Sequence, residues 1–285
     1  MSRIHPVSVL YEHVIDRLSA AGIESPRFEA QLLLGFALDV SRVEILRGGM
    51  PEPTHQQIRE LERFVSARER RIPLAYLRGT QEFYGLEFIT SPATLIPRPE
   101  TELLVEVAIR RLKGPADPTF VDVGTGTGCI AVAVAKNVQG AVGLAIDISS
   151  EAIAVAQTNI VRHQVAERVL PVRTNLLDAV GSSSIDLVLS NPPYIPTNEI
   201  EGLQPEVRNF EPRLALDGGA DGFDIHRKLI SGARRVLKRG GGVAIEVAAG
   251  QARDLAGVIS ASGFADVRIH KDLAGIERVV EAELA

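Results

Sequence analysis

The sequence predicts an α/β protein whose mostly parallel, seven-stranded sheet ends in a C-terminal antiparallel hairpin, with a small all-α domain in front of it. Three observations carry this reading. From about Glu100, strand-like runs ("TFVDVG", "AVGLAIDIS", "VLPVRTN", "IDLVLSN" and "GGVAIEVA") follow one another with helical stretches interspersed, the rhythm of crossover units in a parallel sheet. The last two runs, "ADVRIHKDL" and "ERVVEAEL", are separated by only a few residues including Gly275, too few for a crossover and right for an antiparallel pair. Upstream, residues 1–72 carry apolar positions at helical intervals and little that is strand-like.

Within that first segment, Ser25 and Pro26 stand as cap and first helical residue ahead of "RFEAQLLLGFAL". A second start follows at Thr54, which has capping-box spacing to Gln57 before Ile58, Leu61, Phe64 and Val65. Residues 1–72 therefore read as a helical bundle. Between residues 73 and 98 the pattern changes. "EFYGLEFIT" places aromatic and β-branched residues around Gly85, a short hairpin, and "SPATLIPRP" is a proline-stiffened connector. Residues 99–285 form the α/β domain, with helices at "ETELLVEVAIRRL", "CIAVAVAK", "SEAIAVAQTNIVRH" and "GFDIHRKLISGARRVL".

Composition narrows the function classes. With 285 residues, 45% hydrophobic and 24% charged, the chain has an ordinary globular make-up. No apolar run approaches the roughly 18 residues needed to cross a bilayer, and the opening "MSRIHPVSVLYEHVIDRL" lacks a signal-peptide core; a cytoplasmic protein with no membrane partner is expected. The single Cys129 excludes an internal disulfide, and the six histidines show no metal-ligand spacing, so no metal is expected. A net charge of −5, with as many Arg as Asp and Glu together in residues 1–72, argues against direct nucleic-acid binding.

The first motif that carries chemistry is "VDVGTGTGC", residues 121–129, where the first parallel strand turns into its helix. Gly124, Gly126 and Gly128 let the backbone bend and approach a ligand, and the helix N-terminus beyond offers free N–H groups. The spacing is G-x-G-x-G, with Cys129 where a dinucleotide fingerprint requires glycine, so a pyrophosphate binder is disfavoured. Such turns also serve plain packing. Nineteen positions after Gly128, Asp147 ends the next strand, where an acid accepts both hydroxyls of a ribose. The other reading of Asp147 is a cap for the helix that follows.

These features resemble the class I methyltransferases that use S-adenosylmethionine, built on a Rossmann-like sheet. The resemblance implies that Gly124, Thr125, Gly126, Thr127 and Gly128 line the methionine end of the cofactor and that Asp147 holds its ribose. It also puts Asn175 and Leu176 at the adenine contact, where Asn replaces the usual Asp and Leu supplies no aromatic face.

"SNPPYIP", residues 190–196, follows the fourth parallel strand at the rim where open α/β sheets bind ligands. Pro192 and Pro193 lack N–H groups and fix φ, so the loop presents carbonyl oxygens with no competing donors. The Asn191 side-chain oxygen and a nearby main-chain carbonyl suit the two hydrogens of a planar –NH₂, with the Tyr194 ring against its plane. Asn191, Pro192 and Tyr194 are the candidate catalytic residues, and these three with Pro193 the candidate substrate contacts; Asn191 borders the cofactor as well. The alternative is a tight proline turn with a packed Tyr. From the residues alone, the –NH₂ belongs equally to adenine or to an amide.

Longer stretches resemble the bacterial peptide-chain-release-factor glutamine methyltransferases: "TSPATLIPRPETELLVE" at 90–106, "FEPRLALDGGADGFD" at 210–224, the "GTQEFYGLEF" hairpin and the closing "DLAGIERVV". The resemblance covers nearly the whole chain. It implies a protein-(glutamine-N5) methyltransferase, a monomer, that modifies the Gln of the Gly-Gly-Gln motif in class I release factors and yields S-adenosylhomocysteine, with the helical bundle recognising the substrate. A ribosomal-protein glutamine methyltransferase shares "NPPY" but reads differently after the "PR" of "LIPRPET"; a DNA or RNA adenine methyltransferase is the further alternative. Arg98, Glu100 and Glu246 stay unassigned between structural and functional roles.

Overall fold

The computed structural model describes residues 6–47, 52–114 and 116–285. The helical expectation for residues 1–5 and 48–51 lies outside these. The chain divides into two compact units, Met1–Arg78 and Gly79–Ala285. The stretch read as a connector is therefore split, because "LAYLR" continues as helix with the first unit while the hairpin packs with the second.

The first unit contains α1 (Pro6–Ala20), α2 (Pro26–Leu38), α3 (Arg42–Arg47), α4 (His55–Glu69) and α5 (Leu74–Arg78). Thr54 starts α4 with both bonds of a capping box: its hydroxyl accepts from Gln57 N, and Gln57 Oε1 accepts from Thr54 N. Ser25 precedes α2 but its hydroxyl makes no capping bond; Pro26 at the first helical position supplies the start. The apolar faces meet at Leu18, Leu33, Leu34, Leu61 and Val65, all almost fully buried. A buried ion pair joins Arg68 of α4 to Glu29 of α2 at 2.6 Å. No helix among the described residues is long and apolar enough to cross a membrane.

The second unit opens with the antiparallel hairpin β1 (Thr80–Phe83) and β2 (Leu86–Ile89). A 3₁₀ turn at Pro99–Thr101 then leads into α6 (Glu102–Leu112). The sheet follows: β3 (Thr119–Val123), α7 (Cys129–Asn137), β4 (Val142–Asp147), α8 (Ser150–Arg162), β5 (Val169–Arg173), β6 (Ile185–Ser190), α9 (Pro205–Phe210), α10 (Asp224–Val236), β7 (Leu237–Glu246), α11 (Ala252–Ala261), β8 (Phe264–Lys271) and β9 (Glu277–Leu284). Strand order is β5-β4-β3-β6-β7-β9-β8, parallel from β5 to β7 and antiparallel for β9 and β8. This is the seven-stranded class I methyltransferase arrangement. The crossover from β5 to β6 runs through turns alone, without a helix.

Strand residues alternate between two apolar layers, as the period-2 pleat requires. Phe120, Leu187, Leu189 and Ala244 face α6, α7 and α8. Val121, Val123, Val188, Val243 and Ile245 face α10 and α11. Burial on both faces explains why these strands read as continuous apolar runs.

The register makes Gly143 of β4 the partner of Phe120, and the absence of a side chain there is what admits the ring. A Cβ on Gly143 would lie 2.2 Å from the Phe120 ring. Gly143→Ala is therefore expected to destabilise the protein by about 1–3 kcal/mol, read as a lower urea midpoint with an unchanged slope. An unchanged midpoint would mean that the ring is free to move aside.

Candidate functional site

Chain order reverses direction at β3, which has β4 on one side and β6 on the other. At such a switch point the connections leave in opposite directions and open a crevice beyond the carboxyl ends of the strands. The "GTGTG" loop leaves β3 there and "NPPY" leaves β6. Val123 and Ser190, the last residues of the two strands, are register partners, and the Ser190 hydroxyl donates to the Val123 carbonyl at 2.7 Å.

One cleft gathers most of the residues singled out from sequence: Gly124, Thr125, Gly126, Thr127, Asp147, Asn175, Leu176, Asn191, Pro192 and Pro193 line it. Gly128 does not. It sits at the start of α7, its Cα side against Ala156, so it serves the packing of α7 on α8. Tyr194 lies in a smaller adjoining recess with Leu95, Arg98, Asn191, Ile195 and Val207.

The glycine loop turns through left-handed backbone at Gly124, Gly126 and Gly128, with φ of 73°, 54° and 80°, a region costly for other residues. Beneath it Asp122 is fully buried. Its Oδ2 accepts from the Thr125 hydroxyl at 2.6 Å, while its Oδ1 has no partner at full hydrogen-bonding geometry; the Ala131 N–H faces the carboxyl. Burial pushes this carboxyl up to about 7, although the Thr125 bond works the other way. The loop is tied from its far side by the buried Asn159 of α8, whose Nδ2 donates to the Thr127 and Ile89 carbonyls while its Oδ1 accepts from Ile89 N. One side chain thus links the hairpin to the glycine loop.

Asp147 ends β4 at the cleft. Its Oδ2 accepts from Gly126 N and its Oδ1 from Ser149 N, each at 3.0 Å. The helix cap is Ser149, whose hydroxyl accepts from Ala152 N, so Asp147 is not needed for that task. With one backbone donor on each oxygen, the carboxylate keeps acceptor capacity for two more. That suits a vicinal diol. Burial raises its pKa, and the backbone donors offset part of the rise. Beyond β5, Leu176 has a φ of 45°, and Ile148 exposes an apolar side chain on the cleft.

On the other wall, Asn191 Nδ2 donates to Thr101 Oγ1 at 3.1 Å. This fixes the amide with its oxygen available. The Tyr194 carbonyl accepts from Gln251 Nε2 at 3.0 Å, and Gln251 Oε1 accepts from Ala248 N. Burial drives the Tyr194 hydroxyl far above its ordinary range, helped by Glu246 and Glu100, so it stays neutral. The "LIPRPET" and "FEPRLAL" segments meet through Arg98 and Glu211: the guanidinium donates to Glu211 Oε1, and Ile96 N donates to its Oε2 at 3.3 Å. Gln251, Glu211 and Asn159 carry no sequence signal of their own. Each is an isolated polar residue on an otherwise ordinary helix or loop, and the contact that matters to the cleft reaches from 32 to 115 positions along the chain.

Family models match over residues 10–79, described as the PrmC N-terminal domain, and over residues 99–203, described as the methyltransferase small domain. The release factor glutamine methyltransferase of Geobacter sulfurreducens is 42% identical over 263 residues, covering 92% of this chain and 91% of that one. That of Gloeobacter violaceus is 46% identical over 213 residues, 74% of each. A methyltransferase structure from Pyrococcus furiosus shares the fold, with a TM-score of 0.53 at 18% identity over 70% of this chain and 90% of that chain.

The buried Asp122 makes stability depend on pH in a definite direction. A carboxyl raised in the folded state favours folding while it is protonated, and that advantage is lost as pH rises from its ordinary range towards about 7. Asp122→Asn keeps an acceptor for Thr125 without a titrating proton. The variant is expected to gain on the wild type, in urea midpoint, as pH increases from about 4 to about 7; a constant difference across that range would contradict the assignment.

Proposed function

For a chain that belongs to the release factor glutamine methyltransferase family, an S-adenosylmethionine-dependent fold, we propose that the cleft methylates the side-chain amide of the Gln in the Gly-Gly-Gln motif of class I peptide chain release factors. The observation that carries this reading is the Asn191 amide, held by Thr101 so that Oδ1 is the free end, beside two prolines with no N–H to offer. A wall of acceptors calls for a planar donor, and an amide –NH₂ is one.

The reading assigns each residue a task. Gly124, Thr125, Gly126 and Thr127 pass close along the methionine part of the cofactor. Asp147 accepts from both ribose hydroxyls, and Asn175, Leu176 and Ile148 border the adenine. Bound there, S-adenosylmethionine supplies an electrophilic sulfonium methyl and leaves as S-adenosylhomocysteine. The amide nitrogen is a weak nucleophile because its lone pair is shared with the carbonyl. Asn191 Oδ1 and a carbonyl of the Pro192–Pro193 step accept its two N–H groups, which returns density to nitrogen and aims it. Positioning of this kind contributes roughly 7–11 kcal/mol in favourable model reactions. The neutral Tyr194 offers a ring face and not a base. The extra proton leaves to water once the nitrogen is methylated.

The helical unit is assigned to recognition of the protein substrate. Val9, Phe28, Val43 and Leu46 expose apolar surface on it, which suits a protein partner better than a phosphate backbone. Such a partner places the enzyme in the cytoplasm, at translation termination.

Two measurements test this. With labelled S-adenosylmethionine and purified release factor, label is expected in the tryptic peptide that contains Gly-Gly-Gln; label entering only ribosomal protein or only nucleic acid would overturn the substrate assignment. Asn191→Ala is expected to lower kcat by about 100-fold or more with cofactor affinity kept, whereas Asp147→Ala is expected to raise the cofactor Kd by roughly tenfold or more. Wild-type turnover in the first variant would refute the acceptor role.

A further inference from the structure

Beyond the residues that line the cleft, a carboxyl group sits directly behind it. Glu246 is the last residue of β7, 1% exposed. The parallel register pairs Ser190 with Ile245, so Asn191, the first residue past β6, and Glu246, the last of β7, come next in register. Both Glu246 carboxyl oxygens are sealed from solvent and have no partner at full hydrogen-bonding geometry. The groups that face the carboxyl are the Thr101 hydroxyl and the Asn191 amide. A buried polar group with no assigned partner calls for a reason. Thr101 is equally buried, at 3% exposure, and its one oxygen already accepts from Asn191 Nδ2.

An Asn side chain has two isosteric orientations, and only its hydrogen bonds choose between them. Reversed, Asn191 would present –NH₂ to a substrate –NH₂, donor against donor. We propose that Glu246 and Thr101 are positioning residues that lock this choice: the Glu246 carboxyl accepts from the Thr101 hydroxyl, which turns the Thr101 lone pair to Asn191 Nδ2 and leaves Asn191 Oδ1 facing the substrate. The inference rests on the reading of Asn191 as the acceptor.

Protonation of Glu246 bears on how the relay works. Burial pushes the carboxyl up to about 8; the Thr101 hydroxyl opposes this, the charge of Glu100 adds to it, and Arg278 and the Asn191 amide pull it back. Around it also stand Tyr194, after β6, and Cys129 of α7, both held neutral by burial. His226 of α10, lowered to about 4 by burial, donates from Nε2 to the Glu246 carbonyl. Near neutral pH the group is therefore an acid, whose carbonyl oxygen still accepts from Thr101. Glutamine imitates that form; leucine abolishes it.

The test uses the full chain with purified release factor, and measures kcat, KM for release factor, and cofactor affinity by calorimetry. Thr101→Val and Glu246→Leu are expected to lower kcat about 10–100-fold, with cofactor Kd nearly unchanged. Thr101→Ser is expected to restore turnover. Glu246→Gln is expected to retain most of it and to lose the inflection near pH 8 in the pH profile. Calorimetry with S-adenosylhomocysteine present is expected to give weaker release-factor binding to Thr101→Val and Glu246→Leu than to wild type. Wild-type kcat in both disruptive variants would overturn the proposal. So would equal losses in Glu246→Gln and Glu246→Leu accompanied by a matching fall in melting temperature, the mark of a purely structural role. Failure of the acceptor reading itself has a different signature, namely wild-type turnover in Asn191→Ala.

Discussion

Everything at the cleft depends on the parallel pairing of β3 with β6. The two strands run side by side to Val123 and Ser190, held there by the Ser190 hydroxyl on the Val123 carbonyl, and then must part. Beyond that point the two loops no longer pair with each other. The glycine loop meets the problem with left-handed turns that bring its N–H groups back towards β4: Gly124 N and Thr125 N both donate to the Ile146 carbonyl, and Gly126 N donates to Asp147. The "NPPY" loop meets it by having almost no donors. One loop turns its N–H groups inward onto β4 and the other has few to turn, and the difference follows from a few glycines and two prolines.

Polarity behind these walls is unusually expensive. Asp122 and Glu246 are carboxyl groups at strand positions with almost no exposure, pushed by burial up to about 7 and about 8. An ionised carboxylate in such surroundings would cost far more than a neutral acid with one hydrogen bond. Each stands directly behind a loop that touches the cleft, Asp122 under Thr125 and Glu246 behind Thr101 and Asn191. Stability is spent here on the orientation of a hydroxyl and an amide. A site that transfers a methyl group to a poor nucleophile gains from orientation more than from any single strong base.

Much of this was legible in the sequence. Apolar runs separated by helical stretches announced the sheet, because strands buried on both faces have no polar side to show. The G-x-G-x-G spacing and an acid nineteen residues on marked the candidate loop, since glycine adopts those backbone angles without the strain other residues carry. Thr54 and Gln57 announced a helix start that the structure contains in full. Other elements were silent. Asn159 joins the hairpin to the glycine loop, Gln251 holds the Tyr194 carbonyl, and Glu211 ties "LIPRPET" to "FEPRLAL". Each is one polar residue whose partner lies far away in the chain, and no local period encodes such a contact.

The sequence by itself determined the fold class, the glycine turn after β3, the donor-poor character of "NPPY" and the family, because these rest on local backbone preference, hydrophobic period and long specific motifs. It left open whether Asp147 caps a helix, and it placed Gly128 and Tyr194 at the ligand, where the packed chain sets both outside the lining of the main cleft. Those were decided by tertiary structure alone. An amide takes its orientation from the hydroxyl of Thr101, ninety positions away. The Asp147 carboxylate is free of the helix cap because Ser149 supplies it. Such choices depend on which groups meet across strands and turns, and only the packed sheet brings them together.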